Sequence, residues 1–520
     1  MTLIMGVQGC GVNTGVMPAR KPAWQAESLL PGEREATDKF GLFLTFSGET
    51  VAYNTAHQYR EGSLADTTVT NWFGDLVSHP KAVVDAASVD DIVAILKNPG
   101  QYPSPVRAIG SNHSTERCGV ADGGTVIRMS GMNQILDISN NTVTCQAGAI
   151  YIDIAKQLET HGLQFYVNTE IGNITAGSAA CCGTKDASMP GELGQVGSYV
   201  TRMKMVLPSG ELLEVSDDQP ELMQKVRSSY GTFGIVTEVT FRVRAIQPLA
   251  VRHETFPIQD FATKFPALLN GGESLMFYLF PYDNLVTVEF RHYNPGAKGD
   301  PNRTVWPLRN YLWATAGPAV CRQISADIDN ATIRNGVLGS FNALWRLKLE
   351  NLICSDNTVA GDQIIRYPAT SNSKYTFSFW AFPEENYPVV LADFFQFAQK
   401  YLDTTGYRIN MLCVGYRVAK DQSSLLSYSY NGNMITIDPV STANPGWTDF
   451  LGVYNQFCSD RGGVPLMNQT FGLTRAMVQK ALGDRLEGFA QARAQFDPGG
   501  RLLNDYFRDL LAAADAAAGH

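Results

Sequence analysis

The stretch AIGSNHS (residues 108–114) decides how this chain is read. It closes the apolar run PVRAIG (105–110) and holds one of only seven histidines in 520 residues. The run predicts a short strand. Gly110 and Ser111 then predict a tight bend whose successive backbone N–H groups form a nest for phosphate, with no need of cationic side chains. On this reading Ile109, Gly110, Ser111, Asn112, His113 and Ser114 all touch a cofactor. The plainer alternative is a polar loop with a solvent-facing His113, and the rest of the chain chooses between them.

Around this stretch, strand and helix patterns alternate from Trp72 to about residue 246. KAVVDA (81–86) predicts a strand. SVDDIVAILKN follows with Ser88 as N-cap, Asp91 three residues on, and Ile92, Ile95 and Leu96 on one helical face. TVIRM (125–129) and TVTCQAGA (142–149) predict further strands, and IYIDIAKQLETHG predicts a helix ending at Gly162. From 247 the strands lengthen and turn aromatic, as in SLMFYLFPY and SKYTFSFWAF, and helical stretches such as VVLADFFQFAQKYLDTTG lie between them. A helix over TRAMVQKALGDRLEGFAQARAQ and the terminal FDPGGRLLNDYFRDLL complete the chain.

Composition narrows the function. A net charge of -9 argues against nucleic acid or an anionic membrane as the main partner, and no apolar run reaches the roughly 18 residues of a membrane span. Nine cysteines without a CxxC predict free, buried thiols and no metal site, which fits a reducing, cytoplasmic setting. The glycine-rich GVQGCGVNTG (6–15) imitates a dinucleotide fingerprint but has the wrong spacing, and Pro18 and Pro22 stand where its helix would run. It is read as a glycine-rich tail within an N-terminal extension, residues 1–70.

Three more segments ask for the same explanation as AIGSNHS. In EIGNITAGSAACCGTKDAS (170–188) the small residues Gly172, Gly177, Ser178 and Gly183, with Thr175 and Thr184, let backbone approach a flat ring or a pyrophosphate. SSYGTFGIVTEVTFRV (228–243) puts Gly231, Gly234 and Ile235 at a turn entering a strand. LLNDYF (502–507) contributes Asn504 and Tyr506.

In this order and spacing the four segments resemble the vanillyl-alcohol oxidase superfamily of FAD enzymes, with PCMH-type FAD binding, and within it the aldonolactone and alditol oxidase branch. Gly110 to Ser114 match that branch's Gly/Ser-rich bend ending in His-Ser. Gly231, Gly234, Ile235 and Thr237 match its GxxGIIT turn, and DPGGRLLNDYFRDLL (497–511) matches its terminal DPxGxFxNxYxRxLL. The resemblance implies an α+β chain: a two-part FAD-binding domain (71–246), a substrate domain with an antiparallel sheet (247–469), and a C-terminal segment (470–520) returning to the FAD domain. It also implies FAD bonded covalently through His113, a small-molecule substrate, and an electron acceptor, O2 before others. Oligomeric state stays open. Ser178 matches a serine that faces substrate and flavin in alditol oxidases.

The resemblance weakens where the branch holds its polyol. Its ExR strand falls on YRINMLCVGYR (407–417), with Asn410 and Leu412 at those places. Its His-Trp-Gly-Lys falls on Leu466, Met467, Asn468 and Gln469. Glu289 and Arg291, on one strand face in VEFRHYN, are read either as an exposed ion pair or as the missing acid and arginine. The catalytic candidates are therefore Ser178, Gln469, Asn410, Glu289 and Arg291. Leucine and methionine in place of polar groups predict a substrate less polar than a sugar. The leading reading is an FAD-dependent oxidase or dehydrogenase acting on a C–OH or C–N bond. A flavin-dependent oxidative cyclase and a non-catalytic flavoprotein are the alternatives.

Overall fold

The three strands nearest the AIGSNHS stretch form a parallel sheet in the order Ala82–Asp85, Thr125–Arg128, Val106–Ile109. The structure, a computed structural model, describes residues 68–297, 305–358 and 374–512. The glycine-rich stretch at 6–15 and nearly all of the N-terminal extension lie outside the described residues. The described residues belong to one compact body.

Between the first two strands, helix Val89–Lys97 starts where the sequence places it. Ser88 Oγ accepts from Asp91 N at 3.2 Å, and Asp91 Oδ2 accepts from Ser88 N at 2.9 Å. The helix buries Ile92, Ile95 and Leu96, each contributing about 1.5–3 kcal/mol of apolar burial. A six-stranded antiparallel sheet follows, in the order Leu212–Ser216, Val200–Val206, Ile235–Ala245, Thr142–Gln146, Ile135–Ile138, with Leu163–Phe165 also on Ile235–Ala245.

Eight of the strands between 249 and 465 build one sheet whose paired strands run antiparallel. At its centre Ser274–Phe280 lies between Leu285–Tyr293 and Cys413–Val418. The fold is thus the α+β arrangement that the sequence implies. Two elements depart from expectation. The C-terminal helix is two helices, Arg475–Leu482 and Asp484–Phe496, broken at Gly483, whose φ of 57° and ψ of -140° suit glycine. The 407–417 stretch becomes a strand only at Cys413, so Asn410 and Leu412 precede it.

The tail returns to the first sheet. Val106 N donates to Arg501 O at 2.8 Å, and the buried Arg107 guanidinium donates to Cys118 O, Tyr230 O and Leu502 O. One side chain thereby ties three of the four motif segments. Seven of the described cysteines are free, whereas Cys354 is disulfide-bonded, which corrects the expectation of free thiols throughout. Among the described residues no cluster offers a metal site, and no helix is long and apolar enough to cross a membrane.

Candidate active site

A cavity of about 1540 Å³, counting the part open to solvent, runs between the motif segments and the eight-stranded sheet. One stretch of its wall is the AIGSNHS turn. The left-handed residue of that turn is Asn112 (φ 53°), not Gly110. Gly110 is needed for a different reason: a Cβ there would lie 2.1 Å from Thr175 Oγ1. Gly177 is similarly tight against Ala147 (2.9 Å) and Gly234 against Val206 O (2.9 Å). Ser228, Tyr230 and Gly231 all take positive φ, which curls the 228–231 turn toward the cavity.

His113 lines this cavity, tilted against Trp72 with ring centroids 4.7 Å apart. Its Nε2 is buried and has no hydrogen-bond partner. Burial pushes its basicity down to about 4, with a lesser push from Lys374 and an opposing pull from a hydrogen bond to Asn173. The ring is therefore a neutral imidazole with an unused nitrogen, not a solvent-facing cation.

Toward the sheet the wall turns charged. Lys185 Nζ lies 3.2 Å from Asp438 Oδ2, and the two side chains are 9% and 4% exposed. The same ammonium sits 3.9 Å over the Tyr416 ring and 4.7 Å over Phe379. Burial raises Asp438 to about 6, Lys185 holding it back. The Tyr416 hydroxyl donates to Glu170 Oε2, and Arg309 Nη2 donates to Glu170 Oε1 at 3.2 Å. Trp313, Tyr375, Phe377, Val414 and Val440 make the apolar remainder.

Comparison with known proteins places this site in a family. A family model for the FAD binding domain matches residues 80–216, and one for D-arabinono-1,4-lactone oxidase matches 239–510. The chain belongs to the D-arabinono-1,4-lactone oxidase family. It is an FAD-dependent oxidoreductase. Among curated relatives of this family, L-gulonolactone oxidase of Bos taurus is 23% identical over 451 residues, covering 85% of this chain and 97% of that protein. L-gulono-1,4-lactone dehydrogenase of Mycobacterium tuberculosis is 23% identical over 450 residues, covering 85% and 98%. A solvent-stable cholesterol oxidase structure shares the fold, with a TM-score of 0.66 at 15% identity over 85% of this chain and 97% of that one.

The residues present fit FAD. The glycines at 110, 177 and 234 leave room that a Cβ would fill, and His113 offers an unpaired buried nitrogen. Twelve expected cofactor contacts line the cavity: Ile109, Gly110, Ser111, Asn112, His113, Ser114, Thr175, Gly177, Ser178, Thr184, Gly231 and Gly234. Five do not. Gly172 makes room for Ile152 and Gly183 for Leu466, and Ile235 is buried in the core. Asn504 caps the last helix and donates to Arg117 O and Val120 O, while the Tyr506 hydroxyl donates to Met467 O. These two brace the wall from behind.

Of the catalytic candidates, Ser178 and Gln469 line the cavity. Asn410 does not: its amide serves Ser325, Ser441 and Thr442 as an internal staple. Glu289 and Arg291 are not an exposed pair, being 0% and 3% exposed, and they stand behind the wall. Arg291 donates to Asp186 at 2.8 Å and to Glu289 at 2.5 Å, and His253 Nε2 is 2.9 Å from Glu289. Burial alone would raise Glu289, but Arg291, His253 and Arg309 hold it well below the carboxylate range. Leu466 and Met467 are core residues, so they do not make the pocket apolar.

The sequence reading missed Glu170, Asp438 and Trp313, and left Lys185 without a role. Asp438 carried a signal: an acid directly after the apolar strand Met434–Ile437 sits where a carboxylate must be buried or functional.

Proposed function

We propose that this chain oxidises a hydroxyl-bearing carbon of a ring-shaped small molecule, with Asp438 taking the hydroxyl proton. The observation that carries this is the buried Lys185–Asp438 pair on the cavity wall. FAD, when bound, supplies the two-electron acceptor for the carbon-bound hydrogen. The protein's side chains do the rest. A carboxylate raised to about 6 is ionised at neutral pH, yet holds a proton more readily than an ordinary aspartate. Lys185 orients it and balances its charge. Ser178 and Gln469 contribute hydrogen-bonding groups to the same cavity, and Glu289 and Arg291 act from behind it, through Asp186 and Tyr278.

Trp313, Tyr375, Phe377, Val414 and Val440 give the substrate an apolar wall to lie against. This supports a cyclic alcohol with one apolar face. A sugar lactone is the second reading, favoured by the family match and the relatives' names. His113 is the covalent tether of FAD on this account, since bond formation at an imidazole nitrogen requires the neutral ring that burial enforces. Oxygen is the proposed final acceptor.

The test is Asp438→Asn, assayed with a panel of aldonolactones and apolar cyclic alcohols, following both flavin bleaching and peroxide. We expect kcat/KM to fall by about 100- to 10,000-fold on the accepted substrate, with flavin content unchanged. Wild-type rates in the variant would remove Asp438 as the base. Bleaching without peroxide would make the enzyme a dehydrogenase.

A further inference from the structure

Helix Val305–Tyr311 runs into a π-helical turn, Leu312–Ala316, and then into helix Gly317–Asp327. A π turn inside an α-helix costs hydrogen-bond geometry and is commonly kept where it presents a functional group. Here it presents Trp313. The indole lines the cavity and is only 4% exposed. Two rings clamp it: Tyr278 is stacked at 6.1 Å between centroids, and Trp345 is tilted at 4.9 Å. Gly317 completes the clamp, because a Cβ there would fall 2.2 Å from the Trp345 ring.

The indole N–H of Trp313 is buried and has no hydrogen-bond partner. Such a donor is costly when left unpaired, and indole carries no second polar atom to offset it. The rings of Tyr278 and Trp345 hold the plane of the indole. It sits four residues after Arg309, whose guanidinium holds Glu170 in the cavity wall and also bonds the Tyr278 hydroxyl at 2.9 Å. One helical run therefore supplies both the arginine that bonds the Tyr278 hydroxyl and the indole that stacks on the Tyr278 ring.

We propose that Trp313 is a specificity-determining residue, whose indole N–H donates to an acceptor oxygen of the substrate away from the reacting hydroxyl. The matching ligand chemistry is a carbonyl, ring-ether or ester oxygen carried on a small ring. This rests on reading the cavity as the substrate site and adds the group that reads the substrate's far end. An alcohol without such an oxygen leaves the N–H unpaired and binds more weakly.

The experiment uses the FAD-loaded enzyme labelled with 15N at its indoles and observes the N–H cross-peaks of its seven tryptophans. The probes are γ-butyrolactone, a ring ester without hydroxyls, and cyclopentanol, a ring of the same size without a carbonyl. Trp313→Phe keeps an aromatic ring in the clamp and identifies the cross-peak. If that variant does not fold, the other six single Trp→Phe variants identify it by elimination. We expect γ-butyrolactone to shift the Trp313 signal saturably and leave Trp345, which lies behind it, in place. Cyclopentanol should do so at least tenfold more weakly, and Trp313→Phe should weaken lactone binding about tenfold. Equal shifts by both probes, no shift by the lactone, or unchanged lactone affinity in Trp313→Phe would each overturn the inference. Asp438→Asn should leave the lactone shift intact, so failure of the proposed base and failure of this donor are separate results.

Discussion

His113 and Asp438 show how burial sets chemistry at single side chains. Each is displaced from its solution value chiefly by loss of water, and each becomes neutral more easily than its type usually does. For Asp438 the sign can be followed into two measurements. The folded value of about 6 lies above the ordinary 3.8, so the group's contribution to stability is full below about 3.8 and is lost as pH rises through about 6. Activity runs the other way, because the base must be ionised. The acidic limb of kcat/KM should fall near pH 6, and Asp438→Asn should abolish it. A limb near 4 would assign the base elsewhere. Gly110 gives a steric prediction at the same scale. Gly110→Ala forces a methyl to 2.1 Å from Thr175 Oγ1, which should cost about 1–3 kcal/mol in thermal unfolding and weaken FAD retention.

The elements that hold the site were unevenly legible in the sequence. Helix Val89–Lys97 could be read to the residue because its cap and apolar face are local patterns. The cradle around Gly110 and Gly231 could be read because glycine marks both a close contact, as at Gly110, and a left-handed backbone, as at Gly231. Glu289 and Arg291 could not. Alternation places them on one strand face, but only the tertiary fold says that the face is covered by Asp186 and the helix bearing Arg309. Asn410 was misplaced because the strand begins at Cys413. The π turn is invisible to periodicity, and Pro307 and Gly317–Pro318 in WPLRNYLWATAGPAV mark only breaks. Its prediction is that Gly317→Ala, although alanine favours helix, destabilises the protein by about 1–3 kcal/mol as Trp345 is displaced. A stabilised Gly317→Ala would show that the turn holds no constraint.

Across the whole molecule, one buried ionic seam joins the segment at 170–186 to the eight-stranded sheet and its helices. Asp186 meets Arg291, Glu170 meets Arg309 and Tyr416, and Lys185 meets Asp438. The cavity lies along that seam, so the groups that fasten the two sides also furnish the site. Removing one partner strands a buried charge. Asp186→Ala should therefore cost about 3–5 kcal/mol, seen as a lower denaturation midpoint, whereas an exposed pair such as Lys156–Asp153 should cost under about 1 kcal/mol.

The reading on which the rest depends is FAD in the cavity beside AIGSNHS, with His113 as its proposed tether. The most direct test is the intact mass of the denatured polypeptide, wild type against His113→Ala. Wild type should carry the added mass of one FAD, and His113→Ala should not. An unmodified wild-type polypeptide that releases FAD would contradict the tether, and a wild-type protein that carries no flavin in any form would contradict the site.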